Sequence, residues 1–515
     1  MERPLDYLNN CVRDDRLIGC NNCQFKELAQ ELYLELTQLL TYKSTLKIIL
    51  AEREPERFLA GFIAACAANC PVFLCNPDWG KQEWQQVFDL VQPDIVWGMR
   101  EEDAVRKLES WRFPSSPNFR TRRGTRGNGD TRKWGHFHLP NPPHPPHPHS
   151  ALSTQLSTQH SALSTQHSTQ HSALIMIPTG GSSGQIKFAM HTWETLMASV
   201  RGFTEYFQIK QVNSFCVLPL YHVSGLMQFM RSFATGGQLA ILPFKTVESG
   251  QIYNINPSEF FISLVPTQLQ RLLQNPQLTE WLTQFATVLL GGAPAWSELL
   301  EKARFHSIRL APTYGMTETA SQIATLKPDD FLNGKINSGQ ILPHAQIKIC
   351  DRQGEGLDSN QTGNITIETK SLALGYYPHT WSDRNYFQVD DLGFFDEQGY
   401  LNIVGRSSEK IITGGENIYP AEIESAIRET QMIADICVIG VSDKYWGQAL
   451  TALYVPKNSN TSTLEIQSVL KDKLSKFKIP KHWIPLPTLP RNSQGKINRQ
   501  QLQQIATEFL FSTND

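Results

Sequence analysis

Apolar and polar positions along this chain follow two periods. Short runs rich in β-branched residues, such as Ser172 to Ile177 and Phe215 to Leu220, read as strands, whereas the spacing across Thr192 to Phe207 reads as a helix. Strand and helix recurring in turn predict α/β layering. Towards the C-terminus, Ala421 to Thr430 and Leu464 to Leu474 are helical, and Ile436 to Val441 and Ala449 to Val455 are strand-like. The expected architecture is therefore α/β, with a large N-terminal domain of layered sheets and helices over residues 1–405 and a small α+β C-terminal domain over residues 406–515.

Between about Ser115 and Ser172 the pattern lapses. Arg120 to Arg132 is basic and Gly-rich, Pro and His crowd Asn141 to His149, and the run Ser150-Ala-Leu-Ser-Thr-Gln returns at Ser161. So few large apolar side chains do not offset the entropy of ordering, and a disordered surface insertion over residues 115–172 is expected. Eight of the fourteen histidines fall between His136 and His171. Their number admits metal binding; the bland reading is an accident of composition.

Composition narrows the field. A chain of 515 residues exceeds what one core of roughly 250 to 300 residues fills, so at least two domains are expected. The 47 basic and 49 acidic residues leave a formal charge of −2 and no overall field for a polyanion. A small-molecule partner fits better than nucleic acid. The longest apolar stretch, Phe58 to Leu74, is broken by Asn69 and Pro71 and falls short of a membrane span, and Met1 to Asn10 lacks the form of a secretory signal. Nine cysteines, an odd number without framework spacing, suggest reduced thiols in the cytoplasm. Cys20 and Cys23 have the spacing of half a zinc or redox site, but no second pair with metal-ligand spacing follows. Composition leaves a homo-oligomer open.

The chemistry sits in short motifs. Thr179, Gly180, Gly181, Ser182, Ser183, Gly184, Gln185, Ile186 and Lys187 bring glycines, hydroxyls and a lysine together directly after the apolar run Leu174 to Ile177. Glycines let a backbone approach phosphate, hydroxyls donate to its oxygens, and the lysine balances its charge. The loop lacks the Gly-Lys-Ser/Thr of the common P-loop, and taken alone reads equally as a flexible linker. Five further motifs follow in order: Leu290-Gly291-Gly292-Ala293-Pro294; Thr313-Tyr314-Gly315-Met316-Thr317-Glu318; Val389-Asp390-Asp391-Leu392-Gly393; Gly405-Arg406 with Gly414-Gly415-Glu416-Asn417-Ile418-Tyr419-Pro420; and Pro490-Arg491-Asn492-Ser493-Gln494-Gly495-Lys496-Ile497.

In this order the motifs resemble those of the adenylate-forming enzymes: acyl-CoA synthetases, luciferases and peptide-synthetase adenylation domains. The resemblance implies ATP, Mg²⁺ and CoA as the small molecules handled. It assigns the phosphates to Thr179, Ser182, Ser183, Gly184 and Lys187, and the rest of the nucleotide to Gly291, Gly292, Ala293, Pro294, Thr313, Tyr314, Gly315, Met316 and Thr317. Tyr314 offers a flat face to adenine, with Gly291 to Pro294 on the other side. Glu318 would meet Mg²⁺, a hard cation that takes oxygen ligands. Asp391 and Arg406 would meet the ribose.

The same resemblance implies two steps. A carboxylate first attacks the α-phosphate, giving an acyl-adenylate and pyrophosphate; CoA thiolate then displaces AMP. Lys496 would stabilise the charge that grows in the first step, with Glu318 and Thr179 beside it. The C-terminal domain would then rotate about a hinge, here Ser408, and bring Gly414 and Gly415 to the thiol tunnel. The chain departs from the family pattern at Gly180, where a hydroxyl residue is usual, at Ile186, where Pro is usual, and at Phe188, where Gly is common. Val389-Asp390 replaces Thr-Gly before the ribose aspartate, and Ser408 replaces Asp or Lys.

For the acid, His222 in Leu218-Pro219-Leu220-Tyr221-His222-Val223-Ser224-Gly225 stands where adenylation domains carry an aspartate for an amino group, so a non-amino acid is favoured. With Ile262 to Leu273, this stretch resembles the branch of o-succinylbenzoate:CoA ligases in menaquinone and phylloquinone biosynthesis. That substrate is an aromatic dicarboxylate, and the resemblance gives His222, Ser224, Gly225 and Arg231 as its contacts, with Arg231 on the non-reacting carboxylate. Three other readings remain in view: a ligase for another aryl or medium-chain acid, a catalytically silent acyl-binding protein, and a metal- or nucleic-acid-binding protein acting through Arg120 to His171.

Overall fold

A computed structural model describes residues 4, 6, 16–19, 22–99, 173–180, 185–413, 416–443, 446–458, 461–474, 476–491 and 496–512. The expected insertion, its histidines and Cys20 lie outside the described residues.

Two sheets dominate the N-terminal part. One has seven strands in the order His379–Thr380, Gly375–Tyr376, Ile186–His191, Ile175–Gly180, Val72–Leu74, Ile48–Leu50 and Ile95–Trp97. The other has eight, in the order Leu17–Ile18, Leu239–Ile241, Asn213–Cys216, Phe260–Leu264, Thr287–Leu290, Leu310–Met316, Ser321–Thr325 and Gln340–Ile341. The strands from Ile95–Trp97 to Ile175–Gly180 in the first and from Leu17–Ile18 to Leu310–Met316 in the second run parallel, and the central ones are short and apolar, as strands covered on both faces must be.

Side-chain alternation shows how the layers stack. Ile48 and Leu50 share a core with Phe62, Trp193 and Phe229, on the helices Pro55–Ala67, Trp193–Phe207 and Val223–Thr235, whereas Ile49 turns to Trp84 on the helix Lys81–Val91. The eight-stranded sheet does the same. Phe261 and Leu289 face Phe203, while Ile262, Leu264 and Val288 face the helices Pro266–Leu272, Pro276–Thr283 and Ser297–Phe305. Five layers result, helix and sheet alternating, with the first core between the two sheets. The interrupted stretch Phe58 to Leu74 is a buried helix followed by a central strand, and among the described residues no helix is long and apolar enough to cross a membrane.

Beyond Gln340–Ile341 a four-stranded antiparallel sheet (Ala345–Cys350, Gly363–Thr369, Phe387–Phe395, Leu401–Arg406) packs on Ile323 and Ala324. A separate sheet then begins at Ile411–Thr413 and contains Glu416–Ile418, Ile433–Asp443, Gly447–Pro456 and His482–Pro485. The helices Pro420–Arg428 and Thr463–Lys473 cover one face, through Ile423 and Ile466, and the helix Arg499–Ser512 covers the other, through Leu502 and Ala506. This is the small C-terminal α+β unit. The strand expected over Phe215 to Leu220 is only Asn213–Cys216, because the chain breaks at Leu218-Pro219 to enter a turn that matters below. Cys66, Cys70, Cys75, Cys216, Cys350 and Cys437 are free and buried. Burial pushes the Cys70 thiol to about 11 and the Cys216 thiol to about 12, so these act as small apolar side chains.

Candidate active site

The motifs converge where the sheets meet. Ile175–Gly180 forms a hairpin with Ile186–His191, in a register that sets Thr179 opposite Lys187 at its mouth. Ser182, Ser183 and Gly184 lie outside the described residues. Lys187 Nζ stands 5.5 Å from the centroid of the Tyr376 ring, and the Tyr376 hydroxyl donates to Glu318 Oε1 at 2.6 Å. Thus the hairpin mouth and the buried Glu318 share one aromatic neighbour.

Glu318 sits in the short turn Thr317–Thr319 that ends the strand Leu310–Met316. Within that strand, alternation puts Tyr314 and Met316 on one face, against the core of the four-stranded sheet, and Thr313 on the other. Thr313 Oγ1 donates to the Leu290 carbonyl, and a Cβ added at Gly291 would lie 2.5 Å from that hydroxyl. Gly292 follows with φ +82°, which a side chain resists. Gly291 and the strand carrying Tyr314 are therefore close neighbours.

Asp391 and Arg406 are cross-strand partners. Asp391 Oδ1 accepts from Arg406 Nε at 3.3 Å and Oδ2 from the Tyr314 hydroxyl at 2.8 Å, which joins the adenine and ribose candidates. Burial first, then the Asp391 carboxylate, holds the Tyr314 hydroxyl well above its usual range, so it stays protonated and donating.

Lys496 reaches this group from the C-terminal unit. Its side chain is solvent-accessible, yet the surrounding protein lowers its pKa, first by desolvation and then through Arg406, with Glu318 and Asp391 acting in the opposite sense. It also bears on His222. Burial, and after it the Lys496 charge, pull the His222 imidazole down to about 4, so it is neutral near pH 7. Four residues separated by up to 178 positions in sequence, Glu318, Asp391, Arg406 and Lys496, thus act on one another electrostatically.

His222 is the residue before the helix Val223–Thr235, with its ring against Tyr221 at 4.6 Å. Gly225 lies so close that an added Cβ would be 2.2 Å from the Pro219 carbonyl oxygen. Because that neighbour is backbone, Gly225→Ala is expected to displace the His222 turn and lower both Tm and turnover; unchanged values in thermal melting and steady-state assays would refute this. Ser224 is exposed at the start of the helix.

Two turns further along, Arg231 is buried at 3 % exposure. One Nη2 donates to Ser321 Oγ at 3.0 Å and Gln322 Oε1 at 2.8 Å, and the guanidinium stacks on Phe203 at 4.2 Å. No acidic side chain pairs with it among the described residues, and desolvation draws its pKa to about 9. Ala320 and Ser321 both have positive φ (52° and 99°), a conformation non-glycine residues adopt at a cost of roughly 1–3 kcal/mol each. That strain lies between Glu318 and the Ser321 that meets Arg231.

Buried neutral histidines give this region a pH signature. His191 bonds Thr195 Oγ1 and the Thr317 carbonyl, His344 packs on bare Gly202, and burial draws both to about 4, as it does His222. Their folded pKa lies below the unfolded value near 6.5, so between about pH 6.5 and 4 the unfolded chain binds protons that the folded one does not. Stability falls as pH drops through this window, by up to about 1.4 kcal/mol per pH unit for each histidine. Denaturant midpoints that stay flat from pH 7 to 5 would contradict it.

Sequence reasoning missed Tyr376, Ser321, Gln322, His191 and His344. The one available signal was that a buried Glu318 needs a donor; nothing marks a tyrosine 58 positions on as that donor. Gly414 and Gly415 lie outside the described residues. Cys23 is on the helix Asn22–Leu39, its side chain undescribed, and no metal-holding group of three or more His, Cys, Asp or Glu occurs among the described residues.

The chain is similar to known proteins in both sequence and fold. A 2-succinylbenzoate–CoA ligase of Enterococcus faecalis is 33 % identical over 325 residues, 62 % of this chain and 67 % of that protein. One from Listeria monocytogenes is 34 % identical over 344 residues, 63 % and 68 % of the two chains. In fold, the chain is similar to o-succinylbenzoate CoA synthetase from Bacillus subtilis in complex with its acyl-adenylate intermediate, with a TM-score of 0.75, 23 % identity and 97 % of each chain covered. Residues 42–377, which include Tyr314 and Glu318, match the AMP-binding enzyme family, and residues 422–496, which end on Lys496, match the AMP-binding enzyme C-terminal domain. The chain therefore belongs to the AMP-binding enzyme family, as an AMP-forming acid–CoA ligase.

Proposed function

We propose that the chain joins o-succinylbenzoate to CoA, by way of an acyl-adenylate, in menaquinone or phylloquinone biosynthesis. The observation that carries the acid is Arg231: a buried guanidinium without a carboxylate partner among the described residues, on the helix that His222 precedes. Burying such a charge is costly unless something pairs with it, and the second carboxylate of an aromatic dicarboxylate supplies the pair. A neutral His222 suits an acid without an amino group, since it offers no fixed negative charge.

The residues divide the work. Thr179 and Lys187 flank the hairpin mouth and receive the phosphates. Tyr314 stacks on adenine opposite Gly291 to Pro294, while Asp391 and Arg406 take the ribose. Glu318 has its Oε1 tied to Tyr376, and its other oxygen would hold a cation; a carboxylate beside the phosphate loop fits Mg²⁺, a hard cation that takes oxygen ligands. That ion, when bound, would neutralise phosphate charge. Lys496 supports the oxygen anions that form as the acyl carboxylate displaces pyrophosphate. In the second step the C-terminal unit turns about Ser408 and carries Lys496 away, so that Gly414 and Gly415 line the thiol path.

The test is a substrate panel of o-succinylbenzoate, benzoate and octanoate, recording pyrophosphate release without CoA and thioester with it. Turnover is expected with o-succinylbenzoate. Turnover with another acid alone would replace the substrate and keep the reaction class.

A further inference from the structure

The chain passes from the strand Leu401–Arg406 to the strand Ile411–Thr413 through four residues, Ser407 to Lys410. The first two are held by one residue. Ser407 N donates to the Asp390 carbonyl at 2.7 Å, Ser408 N donates to Asp390 Oδ1 at 3.0 Å, and Ser408 Oγ donates to Asp390 Oδ2. The third, Glu409, is held from the other side by Arg499 at 3.2 Å, and Arg499 also reaches Glu424 at 3.5 Å. Arg499 opens the C-terminal helix three positions after Lys496. The linker is therefore clamped to the four-stranded sheet at one end and to the C-terminal unit at the other.

Asp390 and Asp391 are neighbours on one strand, and successive strand residues face opposite ways. Asp391 meets Tyr314 and Arg406, while Asp390 turns to the linker. We propose that Asp390 is a positioning residue: a latch that fixes Ser407 and Ser408 in the arrangement that holds Lys496 beside Glu318 and Asp391. It touches no reacting group and acts through the linker. Hydrogen bonds to a carboxylate are the stronger kind, yet Asp390 and Ser408 are both exposed, so the latch is firm enough to bias the first half-reaction and weak enough to open before the second. Asp390 and Ser408 are also two of the positions at which this chain departs from the family pattern, and the structure joins them. The inference rests on the two-step reading above.

Full-length Asp390→Ala, Asp390→Asn and Ser408→Ala variants test it. Adenylate formation is followed by pyrophosphate release and thioester formation by supplying preformed acyl-adenylate with CoA; trypsin cleavage at Arg406 and Lys410 is timed without substrates. Asp390→Ala should slow adenylate formation about tenfold, the loss expected for a charge-assisted hydrogen bond, and leave thioester formation equal or faster. It should also speed linker cleavage. Asp390→Asn keeps an oxygen for Ser408 N and should recover most of the rate, with Ser408→Ala between the two. Equal loss in both half-reactions, or a change confined to the KM for ATP, would overturn the latch. Should the unaltered chain form no adenylate from any acid, the two-step reading fails, and cleavage alone then decides: faster cutting in Asp390→Ala supports the latch, unchanged cutting removes it.

Discussion

Lys496→Ala should lower adenylate formation about 10²- to 10³-fold and leave thioester formation from supplied acyl-adenylate nearly intact. The magnitude is that of removing one preorganised charge stabiliser from a developing oxyanion. Its asymmetry comes from the structure: Lys496 senses Glu318, Asp391 and Arg406, all on the nucleotide side, while its own segment hangs from the C-terminal unit. A group brought in by a separate unit serves only the step in which that unit faces the site. Rapid-quench measurement of the two half-reactions gives the split directly, and comparable losses in both would mean that Lys496 stays put through the cycle.

Arg231→Met should separate stability from function. Removing a buried charge that has no acidic partner among the described residues relieves desolvation, so Tm without substrate is expected to hold or rise, even with Ser321 and Gln322 losing their donor. In contrast, kcat/KM for o-succinylbenzoate should fall roughly 10²-fold, within the range measured when one member of a buried charge pair is removed. The informative comparison is 3-benzoylpropionate, which keeps the ring and the reacting carboxylate but lacks the second. It should be turned over equally well by both forms. A parallel loss with both acids would assign Arg231 to the fold and withdraw the dicarboxylate reading.

Much of this was readable from the chain alone, for a physical reason. Layered α/β structure and the motifs at Thr179, Gly291, Tyr314, Asp391 and Lys496 depend on local patterns: short apolar runs, glycines where backbone must approach, and hydroxyls in a row. Those patterns survive in one dimension. Tyr376 and Gln322 were not legible because each matters only through a partner brought up by folding, Glu318 in one case and Arg231 in the other. Asp390 was visible only as an odd residue beside Asp391, and Ser408 as an odd residue at the expected hinge. Each departure explains the other only once the antiparallel pairing of Asp391 with Arg406 brings the two segments together.

The seven-stranded sheet has a consequence for the long segment between residues 99 and 173. Among the described residues Ile95–Trp97 is an edge strand, and Ile175–Gly180 lies three places inward, so the lateral gap is roughly 14 Å at about 4.8 Å per strand. Both strands run in the same direction, through Ile48–Leu50 and Val72–Leu74. The chain must therefore travel back along the sheet, a crossover for which a dozen or so residues suffice. Residues 100–172 hold several times that length. The topology that delivers Thr179 to the hairpin mouth thus needs only a small fraction of that length.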